Sequence, residues 1–160
     1  MAFSGRTPIP LIAAAILLGT LLVYKLYAPK IDAVDMTLHP DDVQFVAEGK
    51  AVYDAHCASC HGIGLEGQNN WRERNANGRL PAPPHDETGH TWHHADAALF
   101  KLTKHGPQFV AGPNYESDMP AFEGVLTDRE ILAALSYIKS TWPAKVRMTH
   151  DEINKAAGRQ

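Results

Sequence analysis

The chain has 160 residues, which is enough for one ordinary domain with an additional segment but too short for two full domains. All 18 acidic residues but only 12 of the 15 Lys and Arg residues follow Lys30, so the portion beyond Lys30 has a net charge of −6. This acidic balance argues against nucleic acid binding, which requires a basic surface. It fits a basic partner surface or ordinary solubility charge.

The N-terminal segment contains an almost wholly apolar stretch from Ile9 to Ala28. About 20 helical residues cover a hydrocarbon core of roughly 30 Å, so we predict a transmembrane anchor within residues 1–28. A cleaved secretory signal is the main alternative, and a buried core helix is a third. The length of the stretch favours the anchor over the signal. Residues 29–39 then form a polar linker that reaches at most about 36 Å.

The first helix after the linker is predicted from Asp41 to about Cys57. Pro40 and the acidic residues Asp41 and Asp42 stand at its start, where the helix dipole favours negative charge. Two neighbouring stripes at helical spacing follow along it, one through Val43, Val46, Lys50 and Tyr53 and one through Phe45, Gly49 and Val52.

The helix leads into Ala55–Gly62, which reads A-H-C-A-S-C-H-G and contains C-x-x-C-H, the pattern of c-type haem attachment. Cysteines three apart on a helical turn lie about 5 to 6 Å from each other, so Cys57 and Cys60 can both bond to one haem edge. His61 can then supply an axial imidazole. The alternatives are a redox-active thiol pair, a zinc site and a structural disulfide. Zinc would need further ligands, and the chain has no other Cys.

From about Asp41 to Trp142 the chain resembles small class I cytochromes c. The resemblance rests on the helix that ends in C-x-x-C-H, a loop-rich middle, a Met-Pro loop and a C-terminal helix. It implies an all-α haem domain over residues 40–143 with one covalently bound haem c, acting as an electron carrier rather than an enzyme. It also implies that Gly49 lets the last helix cross closely, with Tyr137 or a neighbour in contact.

Five of the nine histidines lie between His85 and His105. A second metal site for copper or zinc is one interpretation, because imidazoles and carboxylates bind these metals. We favour a solvated or haem-packing loop, because the segment has no paired motif such as H-E-x-x-H. A short amphipathic helix is predicted from Asp96 to about Lys104, ending near Gly106.

The run Leu80–Pro84 precedes this segment and is stiff and extended. The resemblance implies that one of its carbonyl groups accepts the ring hydrogen of His61 and so fixes the orientation of that ligand. The sequence does not say which residue provides the carbonyl.

Met119 lies in the loop Tyr115–Phe122. In the resembling family, the thioether of a Met in such a loop binds iron opposite the His and raises the reduction potential. The resemblance therefore implies that His61 and Met119 are the axial ligands of the haem iron. The alternatives are that Met119 only fills core, or that a histidine of the middle segment competes with it: His85, His90, His93, His94 or His105.

The last helix is predicted to begin at Thr127, where Thr127 and Glu130 form a capping box. Pro143 ends it. Its apolar positions recur at helical spacing: Ile131, Leu135, Ile138 and Trp142. Residues 144–160 form a charged tail, either a docking arm or a frayed end, with a weak helix start at Thr149.

We therefore expect an all-α, cytochrome c-like haem domain on one transmembrane helix of the bacterial inner membrane. The haem motif indicates that the domain faces the periplasm, since flanking basic residues do not decide the orientation. The expected function is single-electron transfer between membrane-bound redox complexes of a respiratory or photosynthetic chain. The alternatives are a fixed haem subunit of a larger membrane oxidoreductase, a copper-handling or redox-sensing protein, and a peroxidase-like enzyme with an open iron position.

Overall fold

The structure is a computed structural model that describes residues 35–159. The predicted anchor, and residues 29–34 of the predicted linker, lie outside this range. Between residues 35 and 159 no helix is long and apolar enough to cross a membrane. The described helices are α1 (Val43–His56), α2 (Ala58–His61), a 3₁₀ helix (Thr91–His93), α3 (Asp96–His105), α4 (Pro107–Ala111), α5 (Asp128–Thr141) and α6 (Ala144–Ala157).

Helices and loops make up the whole described range, in which Glu123 and Leu126 form only an isolated bridge and no strand. The predicted all-α fold is confirmed for these residues. Helix α3 spans Asp96–His105 and is followed by its C-cap Gly106, in agreement with the prediction of a helix from Asp96 to about Lys104 that ends near Gly106.

Helices α1 and α5 form the main helix pair of the domain. They approach so closely at Gly49 that a Cβ atom there would lie 1.9 Å from the carbonyl oxygen of Ala133. The predicted close crossing at Gly49 is therefore confirmed. The closest approach comes from Ala133, one helical turn before Tyr137, whose ring centroid lies 5.4 Å from that of Tyr53.

Helices α1 and α5 each begin with a side-chain cap. The Asp42 side chain accepts hydrogen bonds from the backbone N–H groups of Gln44 and Phe45. Helix α1 therefore starts at Val43, two residues after the predicted start at Asp41. Thr127 and Glu130 form the predicted capping box of α5.

The core lies around the α1–α5 crossing and extends beneath the loops that follow each helix. Its buried members are Leu38, Phe45, Tyr53, Ala58, Leu65, Leu99, Phe100, Phe122, Leu126, Ile131, Leu132, Ala133, Leu135, Ile138 and Trp142. Because Ala58 lies within the C-x-x-C-H turn and Leu65 lies in the loop that follows it, the core directly supports that turn.

The segment before α1 packs on the domain. Leu38 is buried, and its backbone N–H donates to Asp96 at 2.9 Å. The N–H of His39 donates to the Ser136 hydroxyl at 3.0 Å. Leu38 and His39, predicted to be the end of the linker, thus hydrogen-bond to α3 and α5.

Helix α6 begins at Ala144, five residues before the weak start predicted at Thr149. Its His150 is completely buried and donates from Nε2 to the carbonyl oxygen of His94 at 2.9 Å. Asn154 hydrogen-bonds to Asp96 at the start of α3. The C-terminal segment is therefore a helix docked on the domain.

Candidate haem-binding site

The C-x-x-C-H motif forms a single helical turn directly after α1. The N–H of Cys57 donates to the carbonyl oxygen of Tyr53 at 2.8 Å, and the N–H of His61 donates to that of Cys57 at 2.9 Å. Cys57 is half-buried and Cys60 exposed, and both are free thiols. Tyr53 braces the turn from α1, since its hydroxyl donates to the carbonyl oxygen of Gly62 at 2.8 Å.

The protonation chemistry of Cys57 does not fit a redox-active thiol pair. Burial, with a smaller effect from Cys60, raises the pKa of the Cys57 thiol to about 11. Reactive pairs in C-x-x-C motifs instead depend on a lowered thiol pKa. A zinc site is also unsupported, since no three His, Cys, Asp or Glu side chains in the described part of the chain are grouped to hold a metal ion.

His61 is buried and held in one orientation. Its Nδ1–H donates to the carbonyl oxygen of Pro83 at 2.8 Å, which leaves Nε2 as the unprotonated ring nitrogen. The prediction that a carbonyl of the Leu80–Pro84 run accepts this hydrogen is confirmed, and the structure identifies it as Pro83. Burial lowers the pKa of His61, although the hydrogen bond to Pro83 acts in the opposite direction. The neutral imidazole that results is the form that binds a metal ion.

The proline run is itself fixed to the loop that follows the motif. Gln68 donates its N–H to the carbonyl oxygen of Ala82, and Ala82 donates its N–H to the side-chain oxygen of Gln68, both at 2.8 Å. At Gly67, where φ is +69°, a Cβ atom would lie 2.4 Å from the nitrogen of Pro84. This close backbone packing fixes the carbonyl that orients His61.

His85 lies against the ring of His61. The two ring centroids are 3.9 Å apart and the planes are inclined by 21°. The sequence predicts His85 only as a rival iron ligand. Because its ring lies on that of His61, it does not fit a ligand on the opposite side of the iron. A sequence pattern does not reveal this stack, since the two residues meet only after the 62–84 segment has folded back.

Each of the other middle histidines has an aromatic ring beside it, and the ring centroids of His90 and His94 lie 5.5 Å apart. His90 stacks on Trp71 with centroids 5.4 Å apart, and His93 stacks on Trp92 at 3.7 Å. His105 lies 3.3 Å from a carboxylate oxygen of Glu123. The described residues thus give no support to a second metal site in this segment.

Met119 comes from a separate loop that packs on the same core. It is half-buried, and its N–H donates to the Ser117 hydroxyl at 3.1 Å. The chain after it is tied to the end of α3, where Phe122 donates its N–H to the carbonyl oxygen of Thr103 at 3.2 Å. Among the predicted site residues, Cys57, Cys60 and His61 share one turn, whereas the pairing of Met119 with His61 stays a prediction.

The Cytochrome c family model matches residues 46–142, which is more than half of the chain. The chain belongs to the cytochrome c family. No curated protein and no solved structure gives a significant match. This cytochrome c therefore contains an all-α domain that binds haem c covalently and transfers electrons.

The donor set of this cytochrome fits haem c. The turn offers two free thiols three residues apart, and the next residue is a neutral imidazole with Nδ1 occupied and Nε2 available. Haem c supplies an iron centre that gains and loses one electron. The protein contributes by fixing the imidazole through Pro83 and by placing the thiols on a turn supported by the core.

Proposed function

We propose that this cytochrome is a monohaem, class I electron carrier in which Cys57 and Cys60 hold the haem through thioether bonds and His61 and Met119 bind the iron. The arrangement that carries the proposal is the C-x-x-C-H turn with the His61 ring fixed by the Pro83 carbonyl. One haem is proposed because the chain has only these two cysteines. With both axial positions filled, electron transfer is the function that remains.

The rigid setting of His61 suits this function. A ligand already oriented in the folded chain needs little rearrangement when the charge on the metal changes, which is the general advantage of preorganisation. The Pro83 hydrogen bond also raises the basicity of the imidazole and fixes its tautomer. The proposed thioether ligand favours the reduced metal and a higher potential.

The decisive experiment is the absorption spectrum of the purified protein before and after acid-acetone extraction, together with its intact mass. We expect the pigment to stay with the polypeptide and the mass to exceed that of the amino acids by one haem. The double variant that combines Cys57→Ala and Cys60→Ala should no longer bind haem covalently. The control Ser59→Ala changes a residue between them and should keep it. Full extraction of pigment from the unaltered protein would contradict the proposal.

We further propose that residues 1–28 tether the cytochrome to the bacterial inner membrane with the haem domain in the periplasm. The support is the apolar stretch Ile9–Ala28 and a haem motif whose attachment requires export. A short leash raises the effective concentration of partners in the same bilayer. Membrane fractionation with N-terminal sequencing tests this, since a soluble protein that begins near residue 29 would show a cleaved signal instead.

The partners proposed are membrane-bound redox complexes of a respiratory or photosynthetic chain, with a quinol-oxidising complex as donor and a terminal oxidase, reductase or reaction centre as acceptor. This choice rests on analogy with other cytochromes c. Purification in mild detergent separates the two modes of action. A cytochrome that purifies alone acts as a shuttle, whereas a stoichiometric companion identifies a fixed subunit of a larger oxidoreductase.

A further inference from the structure

We propose that His85 is a positioning residue for His61: by stacking on its ring, it fixes the plane in which that imidazole meets the metal. The inference rests on the proposed function, in which His61 binds the haem iron. The observation behind it is the parallel contact of the two rings, with centroids 3.9 Å apart and planes inclined by 21°.

One hydrogen bond does not define the plane of an imidazole. The bond from Nδ1 to the Pro83 carbonyl fixes the position of one ring atom at 2.8 Å. Rotation of a His ring about its Cβ–Cγ bond has a broad energy profile, so the ring can still tilt about that hydrogen bond. A flat neighbour at van der Waals distance removes this freedom, because any tilt brings the two rings into collision or opens a gap.

His85 can act in this way because it is itself held on several sides. Its Nδ1 shares a hydrogen bond of 2.7 Å with the hydroxyl of Thr91, which is buried. Its backbone N–H donates to the carbonyl oxygen of Leu65 at 2.8 Å. Its own carbonyl oxygen accepts the indole N–H of Trp142 at 2.7 Å. The Thr91 bond holds the ring, and the other two hold the backbone on both sides of its Cα atom, so the ring is a fixed platform.

The edge of the Tyr53 ring completes the enclosure, with its centroid 6.3 Å from that of His85. Burial and the neighbouring His61 and His90 lower the pKa of His85, which is consistent with a neutral ring that can stack without charge repulsion. The stacking itself requires only a flat ring of this size. An aromatic hydrocarbon should therefore replace His85 better than an aliphatic side chain.

The test compares three variants of the full-length haem protein: His85→Phe, His85→Leu and Thr91→Val. His85→Phe keeps a flat ring, His85→Leu fills much of the volume without one, and Thr91→Val removes the hydrogen bond while keeping the shape of Thr91. The readouts are the g-values of the ferric protein in electron paramagnetic resonance and the order and spread of the haem methyl proton shifts, which report the orientation of the axial imidazole. Thermal melts are recorded in parallel.

His85→Phe keeps the flat ring but also loses the hydrogen bond to Thr91, so we expect its g-values and methyl shifts to move no more than those of Thr91→Val. His85→Leu should shift both while the iron stays low-spin, and Thr91→Val should shift them in the same direction by a smaller amount. If His85 had only a structural role, the Phe and Leu variants would both melt at a lower temperature, and their g-values and methyl shifts would not differ from each other. Superimposable spectra for His85→Leu and the unaltered protein, or equal shifts for the Leu and Phe variants, would overturn the inference.

Thr91→Val keeps the inference testable if His85→Leu does not fold, since unchanged spectra in a folded Thr91→Val protein would also count against it. Failure of the underlying function is visible separately. If His61→Ala left the low-spin spectrum of the haem protein unchanged, His61 would not be the ligand, and both proposals would fall.

Discussion

The segment that carries His61 and the loop that carries Met119 are held to the domain by different kinds of contact. His61 is buried, bonded to Pro83 and stacked on His85. The Met119 loop is fixed in part at the surface, where Arg79 pairs with Asp118. Buried, close-packed contacts resist local opening more than exposed ion pairs do. The proposed axial ligands are thus expected to differ in how readily each leaves the metal.

The largest effect is expected at Gly49, where α1 and α5 cross. We call this helix pair and the C-x-x-C-H turn that follows α1 the His61 side. In Gly49→Ala, the new Cβ atom would meet the carbonyl oxygen of Ala133, so α1 and α5 must move apart. We expect a loss of about 3 kcal/mol in unfolding free energy from this overpacking. Chemical denaturation measures it. Gly158→Ala is the control, since its φ is −72° and its Cβ atom meets only an ordinary contact at 3.5 Å. Equal stability of the two variants would contradict the close crossing.

The second-largest effect is expected from removing the proposed sulfur ligand in the Met119 loop. Met119→Leu should keep the haem covalently bound and the domain folded but remove the sulfur ligand. The reduction potential should fall, because thioether ligation raises it. A redox titration and the near-infrared band of sulfur ligation in the ferric protein measure the change. Met148→Leu is the matched control, because Met148 is exposed on α6. A Met119→Leu protein with unchanged potential and band would rule out Met119 as the ligand.

Much of the His61 side could be predicted from the sequence, because its determinants are local. C-x-x-C-H requires five consecutive residues, and the capping box of α5 requires four. Gly49 and the proline carbonyl came from family resemblance, and the structure adds their partners, Ala133 and Pro83. Those partners depend on how helices cross and how residues 62–84 fold back. Periodicity along the chain does not determine either one.

The C-terminal segments show the same limit. Pro143 predicts the end of α5, and it also stands at the start of α6. Proline favours the first positions of a helix as well as the residues after one, and Pro107 similarly opens the short helix α4. These two signals were present in the sequence. The burial of His150 was not predictable, because it depends on the docking of α6 against the His94 carbonyl.

His150 provides a pH test of the packing behind the His61 side. Its ring lies 5.0 Å from that of Trp142, whose indole donates to His85. Burial, and then the charge of Lys139, lower the pKa of His150, although Asp96 acts in the opposite direction. Its Nδ1 is buried without a hydrogen-bond partner among the residues that the structure describes. Adding a proton there places a charge where water does not reach it.

The sign of the pH dependence follows from this lowered pKa. The unfolded chain has the ordinary His pKa of about 6.5, so below that pH it binds the proton more readily than the folded protein does. The stabilisation from neutral His150 is present above about pH 6.5 and is lost as the pH falls towards the folded pKa. His150→Gln should be less stable than the unaltered protein at pH 7.5, but its free energy of unfolding should fall by a smaller amount on acidification. Denaturation at several pH values measures the difference, with His93→Gln, an exposed position, as the control. Parallel pH curves for His150→Gln and the unaltered protein would contradict it.

The smallest effect is expected from loosening the Met119 loop at Arg79. This side chain forms ion pairs with Asp118, the residue before Met119, and with Glu116, whose oxygen lies 3.5 Å from its Nε. All three side chains are substantially exposed, so solvent screens the attraction, and surface pairs of this kind contribute little to stability. Arg79→Gln should therefore leave the covalent haem and the fold intact. We expect the sulfur-ligation band to disappear at a lower denaturant concentration than in the unaltered protein, while the global unfolding midpoint barely moves.

Arg129→Gln is the matched control for Arg79, because Arg129 pairs with Glu48 at 2.7 Å on the α1–α5 face, away from the Met119 loop. It removes a comparable surface pair, so it should likewise barely move the global unfolding midpoint, and it should not advance the loss of the sulfur band. If both variants lost the band and the fold together, the Met119 loop would open only with the whole domain. The two ligand segments would then form one cooperative unit, and the difference between buried and surface contacts would have no consequence for ligation.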